Sequence, residues 1–509
     1  MLTYLMDSVL RQTLKNKSYT DMKSQNKNLS RRKFLQATSL AAGSFMIVPR
    51  HVLGRGFIPP SDQLHLAAIG AGGKGTSDIR NAYNEGKNKV VALCDIDSNQ
   101  AKDSIKRFPK AAFYKDFRKM LDEMEKDIDA VTISTPDHNH GVAAMFAMQR
   151  GMHVYVQKPL THNIYEARQL TEGARKYKVV SQMGNQGASN PGQVQMIEWF
   201  NQGLIGTVHT VHVWTNRPVW PQGISSPEAT KERPKHISAQ DWELFIGPAE
   251  TVPYDPLYHP FKWRGWWNFG TGALGDMGCH LIDPPFRVLQ LGYPTSVESS
   301  VSQVFKKDWV PEHLPESCPP ASVSKIMFSA TKVNPSPIEL NWYDGGIRPF
   351  HPELVPTDEV VGEGSNGVIM IGDKGVMTCG TYGRNPRLYR KGEDTLTMPE
   401  DYTGGNALVK LPEYGHQVHW TEACKAGFGS DQHQALTSSF DYSGPLTETV
   451  LMGNLAIRSS ALAKKGNRGR MDYYGRRKLI WDGDNMEVTN FKEANQFVKR
   501  SYRKGWRLI

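Results

Sequence analysis

The rhythm of apolar and polar positions changes twice along the 509-residue chain. Between residues 64 and 184, short apolar runs alternate with longer segments of helical spacing. Residues 64–69, 89–94 and 130–134 read as buried strands, and shorter strands are expected at 112–114, 153–156 and 179–183. Such a strand–helix–strand series calls for a parallel sheet with right-handed crossovers. From about residue 185 the alternation stops. Residues 207–214 read as a half-buried strand, and strand-like pieces recur at 297–305, 324–329 and 367–371. Long Pro- and Trp-rich stretches at 218–234 and 254–267 intervene, and irregular loops of that length usually act as lids or interface arms.

Ahead of both regions lies a segment of different character. Residues 1–60 hold ten Lys and Arg against Asp7 and Asp21, a net +8, which leaves 51 basic against 49 acidic residues, or +2, in the remainder. The body is close to neutral, so its composition argues against a nucleic-acid partner. The cationic stretch ends in Ser30-Arg31-Arg32-Lys33-Phe34-Leu35, followed by the uncharged, mostly apolar residues 37–48 and then Pro49. That order matches a twin-arginine export leader, which implies the Tat machinery as a partner and a periplasmic or otherwise exported destination. The apolar stretch is shorter than the ~20 residues of a bilayer span, so no integral membrane partner is required, with an uncleaved anchor as the alternative. A composition of 39% hydrophobic, 10% aromatic and 22% charged residues excludes disorder and a polytopic membrane fold. The five cysteines are widely spaced without a CxxC pair, and read as isolated thiols rather than a metal or disulfide framework.

The turn after the first strand is Gly70-Ala71-Gly72-Gly73-Lys74-Gly75, and Asp95 stands 20 residues beyond Gly75 at the end of the second strand. Glycines there let the backbone approach a pyrophosphate at a helix N-terminus, where free N–H groups and the dipole favour negative charge. An acidic residue at the next strand end accepts from the adenosine ribose hydroxyls and repels a 2′-phosphate. Gly70, Gly72, Gly73, Gly75 and Asp95 therefore predict a bound NAD. Lys74 and Arg80 are placed to shield a 2′-phosphate, which leaves NADP as the alternative.

Three stretches together resemble the Gfo/Idh/MocA oxidoreductases. They are this fingerprint, Ser134-Thr135-Pro136-Asp137-His138-Asn139-His140 with Val156-Gln157-Lys158-Pro159-Leu160, and the glycine-rich residues 270–283 containing Asp276, His280 and Asp283. Gln157 departs from the family, which usually has Glu there. The resemblance implies an α/β protein, with a Rossmann dinucleotide-binding domain over 61–184 followed by an α+β substrate domain over 185–509 built on an open, mostly antiparallel sheet. It also implies a homo-oligomer. Thr135, Pro136 and His140 are expected among the cofactor-binding residues, with Pro136 near the nicotinamide ribose and His140 at the start of the following helix. Lys158, Asp276 and His280 form the expected catalytic set, with Lys158 polarising the reacting oxygen and also bordering the cofactor.

The residues carry part of that reading themselves. Lys158 projects from a strand end, where open α/β sheets bind ligands. Asp276 and His280 are four apart, hence on one helix face, and an imidazole suits proton transfer near neutrality. The alternative for that segment is a capping Asp and a core histidine. His138 and His140 lack a third nearby ligand, so no metal site is expected. Aromatic density points to a carbohydrate. Trp214, Asn216, Arg217, Trp263, Arg264 and Trp267 are candidates for a platform that stacks a pyranose and bonds its hydroxyls, with Asn268 beside them; a tryptophan-rich core or domain interface is the alternative. The expected activity is oxidation or reduction of a sugar or glycoside hydroxyl. Two alternatives are a glycosidase that uses NAD for transient C3 oxidation, as one similar branch does, and a non-catalytic sugar-binding protein.

Overall fold

The computed structural model describes residues 63–228, 231–402, 404, 415–467 and 470–508. The leader expected over residues 1–60 lies outside the described residues. The strands β1 (His65–Ile69), β2 (Lys89–Cys94), β3 (Ala112–Tyr114), β4 (Ala130–Ile133), β5 (His153–Val156) and β6 (Ser181–Met183) make one parallel sheet in the order β3-β2-β1-β4-β5-β6. Their apolar runs are continuous because both faces are covered, as parallel sheets require. The strand order reverses between β1 and β4, which opens a crevice beyond their C-terminal ends. Helices α1 (Lys74–Tyr83), α2 (Asp137–Gln149) and α3 (Ile164–Tyr177) start just after β1, β4 and β5 and run back along the sheet.

Beyond residue 184 the chain builds a ten-stranded mixed sheet around β7 (Val208–Trp214). Its one parallel pair among the described residues joins β7 to Ile338–Tyr343; the other neighbours are antiparallel. Period-two alternation is clear in Ser322–Phe328, where Ser322, Ser324, Ile326 and Phe328 are buried. The strand expected over 297–305 is divided. Strand β8 (Ser296–Val301) belongs to the large sheet, and Phe305–Lys307 pairs separately with Val310–Pro311 as an exposed ribbon. Helix α4 (Gly272–Leu281) carries the glycine-rich motif.

The last part of the chain returns to the first sheet. Helix α5 (His416–Ala426) places Trp420, Ala423 and Cys424 in a core shared with Leu66, Leu93 and Tyr155. Helix α6 (Phe440–Ser460) buries Val450, Leu451 and Leu455 in a core that also holds Val131 and Val154 of the first sheet and Val211 and Leu340 of the second. The strands respect a boundary near 184, whereas the core of the dinucleotide module is completed by residues more than 200 positions later. All five cysteines are buried and free. Among the described residues, no helix is long and apolar enough to cross a membrane.

Candidate active site

The chain leaves β1 through Gly70, whose φ of +78° bends it sharply toward α1. A Cβ on Gly75 would stand 1.8 Å from the Gly70 carbonyl oxygen, so the helix meets the turn at a distance only glycine permits. Gly73, which caps α1 with φ +54°, has nothing within 4 Å of the place a Cβ would take. The open side of the turn and the N-terminus of α1 thus form a cradle for a phosphate group. Asp95 follows β2. Its Oδ2 accepts the Gly72 N–H at 2.9 Å and its Oδ1 accepts the Asp97 N–H at 2.9 Å, which fixes the carboxylate beside the turn. Burial pushes its carboxyl up to about 6, against the pull of those two donors.

Gly70, Gly72, Gly73 and Asp95 line a cleft of about 660 Å³, within the range of roughly 300–1,000 Å³ usual for ligand and cofactor sites. Thr135 and Pro136, after β4, line it too. In the same cleft, Lys158 leaves β5 and donates through Nζ to the main-chain oxygen (2.6 Å) and Oδ1 (2.8 Å) of Asp276. The Nε atoms of Arg264 and Arg217 stand 3.6 and 3.7 Å from the same carboxylate. Burial raises the Asp276 carboxyl, but Lys158, Arg264 and the Lys158 hydrogen bond outweigh it and bring it to about 2. His280, one turn further along α4, is 4% exposed and meets the ring of Tyr382 edge-on at 4.6 Å. Burial, reinforced by the Lys158 charge, holds its imidazole well below the ordinary range, so it is neutral and able to accept a proton. Its Nδ1 has no hydrogen-bond partner among the described residues. The geometry joins a dinucleotide cradle to a buried Lys–Asp–His group in a single cleft, and the residues present fit a nicotinamide dinucleotide.

Comparison with known proteins agrees. Residues 64–185 match the oxidoreductase family's NAD-binding Rossmann fold, and residues 201–307 match the same family's C-terminal alpha/beta domain. Both matches are to the oxidoreductase family that the three motifs resemble. The chain is 25% identical over 201 residues to a glycosyl hydrolase family 109 protein of Shewanella pealeana, covering 35% of this chain and 44% of that protein. It is 24% identical over 225 residues to the levoglucosan dehydrogenase of Pseudarthrobacter phenanthrenivorans, covering 44% and 46%. The matched stretch thus spans less than half of either relative. An inositol dehydrogenase homologue of Azotobacter vinelandii, complexed with NAD+, has the same fold, with TM-score 0.53 and 16% identity over 81% of this chain and 97% of that one.

Of the residues expected at the site, Gly70, Gly72, Gly73, Asp95, Thr135, Pro136, Lys158, Arg217, Trp263, Arg264, Asp276 and His280 all line the cleft. Gly75 lies beneath it as a packing glycine. Five expectations are corrected. His140 is buried with Nδ1 2.8 Å from the Pro159 oxygen and Nε2 2.7 Å from the Thr135 oxygen, so it braces the strand ends instead of touching the cleft. His138 does similar work across to Phe245 and Phe269, and among the described residues no His/Cys/Asp/Glu group could hold a metal. Trp214 lies on the opposite face of β7 from Val211 and Val213, packed on Val355 and Ile369 with its Nε1 donating to Gly364. Asn216 is exposed and accepts from Arg217 (2.5 Å). Trp267 is buried in the main core under Arg458, and the neighbouring Asn268 bonds the main chain of Glu250. Aromatic content alone says nothing about which sheet face a ring occupies.

Sequence reasoning passed over Asp137 and Tyr382. Asp137 sits in the second motif, and Thr271 Oγ1 donates to it at 2.5 Å. Burial pushes the Asp137 carboxyl up to about 6, although Thr271, Arg264 and Lys158 lower it. Tyr382 comes from a loop with no sequence signal.

Proposed function

We propose that this protein is an exported NAD-dependent oxidoreductase acting on a sugar or glycoside hydroxyl, with its nicotinamide retained through the catalytic cycle. One observation carries the reading: Lys158, Asp276 and His280 share a single cleft with the glycine turn and Asp95. When bound, the dinucleotide supplies the hydride acceptor or donor. The neutral His280 imidazole takes the hydroxyl proton as hydride leaves the same carbon, and returns it in the reverse direction. Lys158 stabilises the negative charge that develops on the substrate oxygen, and Asp276 holds Lys158 in place through two contacts on one residue. Export is supported by the Arg31-Arg32 leader sequence, and retention follows from it, since the space beyond the inner membrane is not expected to supply NAD for exchange.

The test is to purify the exported form, identify its bound cofactor and a substrate, and follow many turnovers without added NAD. Sustained turnover supports retention; activity that needs free NAD and accumulates free NADH overturns it. His280→Ala and Lys158→Ala should stay folded and cofactor-loaded while losing about 10²–10⁴ in rate. Near wild-type turnover of the His280 variant removes that residue from the mechanism. The likeness to a glycosyl hydrolase family 109 protein favours a second reading, a glycosidase that oxidises C3, eliminates the aglycone across C1–C2, adds water at C1 and reduces the C3 ketone back. Release of free sugar with no net change in NADH absorbance selects it.

A further inference from the structure

We infer that the substrate of this cleft is an anionic sugar bearing a carboxylate, a uronic acid or its glycoside, gripped by Arg217 and Arg264. The inference rests on the sugar-oxidoreductase reading and narrows it.

The charges in the cleft are unevenly divided. Two of its cations are already paired with carboxylates: Lys74 with Asp78 at 2.6 Å and Lys115 with Asp241 at 3.1 Å. Around the catalytic group, Lys158, Arg217 and Arg264 face only Asp137 and Asp276, three against two, and His280 adds no charge. Lys158 alone hydrogen-bonds the Asp276 carboxylate, at 2.8 Å. The two guanidinium Nε atoms, at 3.6 and 3.7 Å, are beyond hydrogen-bond distance and serve it only through space. Each guanidinium has five N–H donors. Among the described residues, Arg217 gives one side-chain hydrogen bond, to Asn216 Oδ1, and Arg264 gives one, to the Phe261 oxygen. Most of their donors therefore remain for a ligand, in a site where both side chains are about a quarter exposed, at 27% and 24%.

Arg264 is also held in place. Its guanidinium lies over the rings of Trp263 (4.2 Å) and Phe261 (4.6 Å), with Trp220 at 5.8 Å. A planar fork fixed against aromatic faces is preorganised for a carboxylate, which it can meet with two parallel hydrogen bonds. A neutral sugar needs no such surplus of cations, since amide and hydroxyl groups would serve its hydroxyls. The cofactor pyrophosphate does not account for it either, because the open glycine turn and the N-terminus of α1 already provide its cradle. One excess positive charge matches one carboxylate, whereas a phosphate ester brings about two negative charges.

The experiment uses the full chain saturated with NAD+ and matched pairs of methyl glycosides, each neutral hexoside beside its uronide, in the gluco, galacto and manno series. Binding is read by calorimetry and hydride transfer by nicotinamide absorbance. In at least one pair the uronide should bind tenfold or more tightly than its neutral partner, with a preference that shrinks as salt is raised. Arg217→Gln and Arg264→Gln should each reduce that ratio at least threefold. Equal or tighter binding of the neutral member in every pair overturns the inference, as does a preference for glucose 6-sulfate or glucose 6-phosphate over every uronide. Hydride transfer to neutral glycosides without uronide preference overturns the inference and leaves the oxidoreductase reading intact. Tight uronide binding without any nicotinamide reduction by the panel does the reverse, and absence of binding by every member overturns both.

Discussion

Asp78, on α1, is fully buried and accepts hydrogen bonds from Lys74 Nζ (2.6 Å), Gln157 Nε2 (2.8 Å), Ser134 Oγ (2.9 Å) and Gln417 Nε2 (3.0 Å). This accounts for the one departure from the family pattern beside Lys158: a glutamine donates to Asp78, and a glutamate would set a second carboxylate against it. Gln157→Glu should therefore cost about 1–3 kcal/mol at pH 8, the usual penalty for a buried polar group left without its partner. A carboxyl introduced there titrates above its unfolded value, so the loss grows as pH rises through that folded value and fades toward pH 5. Thermal unfolding across pH 5–8 checks this, and adding Asp78→Asn should restore much of the loss. Equal stability of the single variant and the wild type at pH 8 would contradict the contact. Asp95 offers a second titration. Burial raises its folded pKa to about 6, so in the cofactor-free protein its contribution to stability falls as pH climbs from about 4 to 6. Cofactor binding runs the other way, because only the carboxylate accepts from the ribose hydroxyls. Calorimetry from pH 7.5 to 5 should show NAD binding weakening toward tenfold per pH unit below about 6, with the gap to NADP narrowing; Asp95→Asn should be weak throughout. At this scale the meeting of Lys158, Asp276 and His280 in one cleft was legible because it is tied to spacing: a strand-end lysine, and an Asp and His one turn apart. Trp214 and Trp267 were not, since a ring declares its type but not its neighbours.

The elements divide in a similar way. Strands β1 to β6 could be read to within two residues because each is a short apolar run closed by turn residues, and β7 because its apolar positions alternate with polar ones. The strand Arg387–Tyr389 and the edge strand Leu396–Thr397 beside it were not legible: they are two or three residues long, and pairing with neighbours, not propensity, makes them strands. Helix α5 could be assigned to the wrong module for a related reason, since nothing in its pattern says which sheet it covers. Trp420 on α5 is fully buried, 5.6 Å from Tyr155 of β5, and the His416 oxygen accepts from Gln182 of β6 at 2.7 Å. Trp420→Ala should accordingly cost about 3–5 kcal/mol, as large aromatic deletions in a core do. Urea unfolding of the NAD-free protein measures it. A cost below about 1 kcal/mol would mean that α5 is peripheral to the dinucleotide module.

On the scale of the whole molecule, the two sheets are packed as one body. A continuous apolar core joins Val131 and Ile133 of the first sheet to Val213 and Met370 of the second, with Val450 and Leu451 of α6 in the same cluster. The cleft lining is drawn from Ile69 at one extreme to Trp506 at the other, so a ligand there touches chain that is far apart in sequence. Trp506 also stacks under Arg118 at 4.0 Å, which ties the C-terminal residues to the helix after β3. Unfolding either sheet would therefore expose the core of the other and dismantle the cleft. Calorimetry of the cofactor-free protein should show a single transition carrying both sheets. NAD, binding only the folded form, should move that whole transition upward, by the equivalent of about 2.7 kcal/mol at a free concentration one hundred times its Kd. NADP at the same concentration should move it less, because Asp95 disfavours a 2′-phosphate. Two transitions, of which NAD shifts only the first, would show that the second sheet folds independently and that the cleft takes only its wall from it.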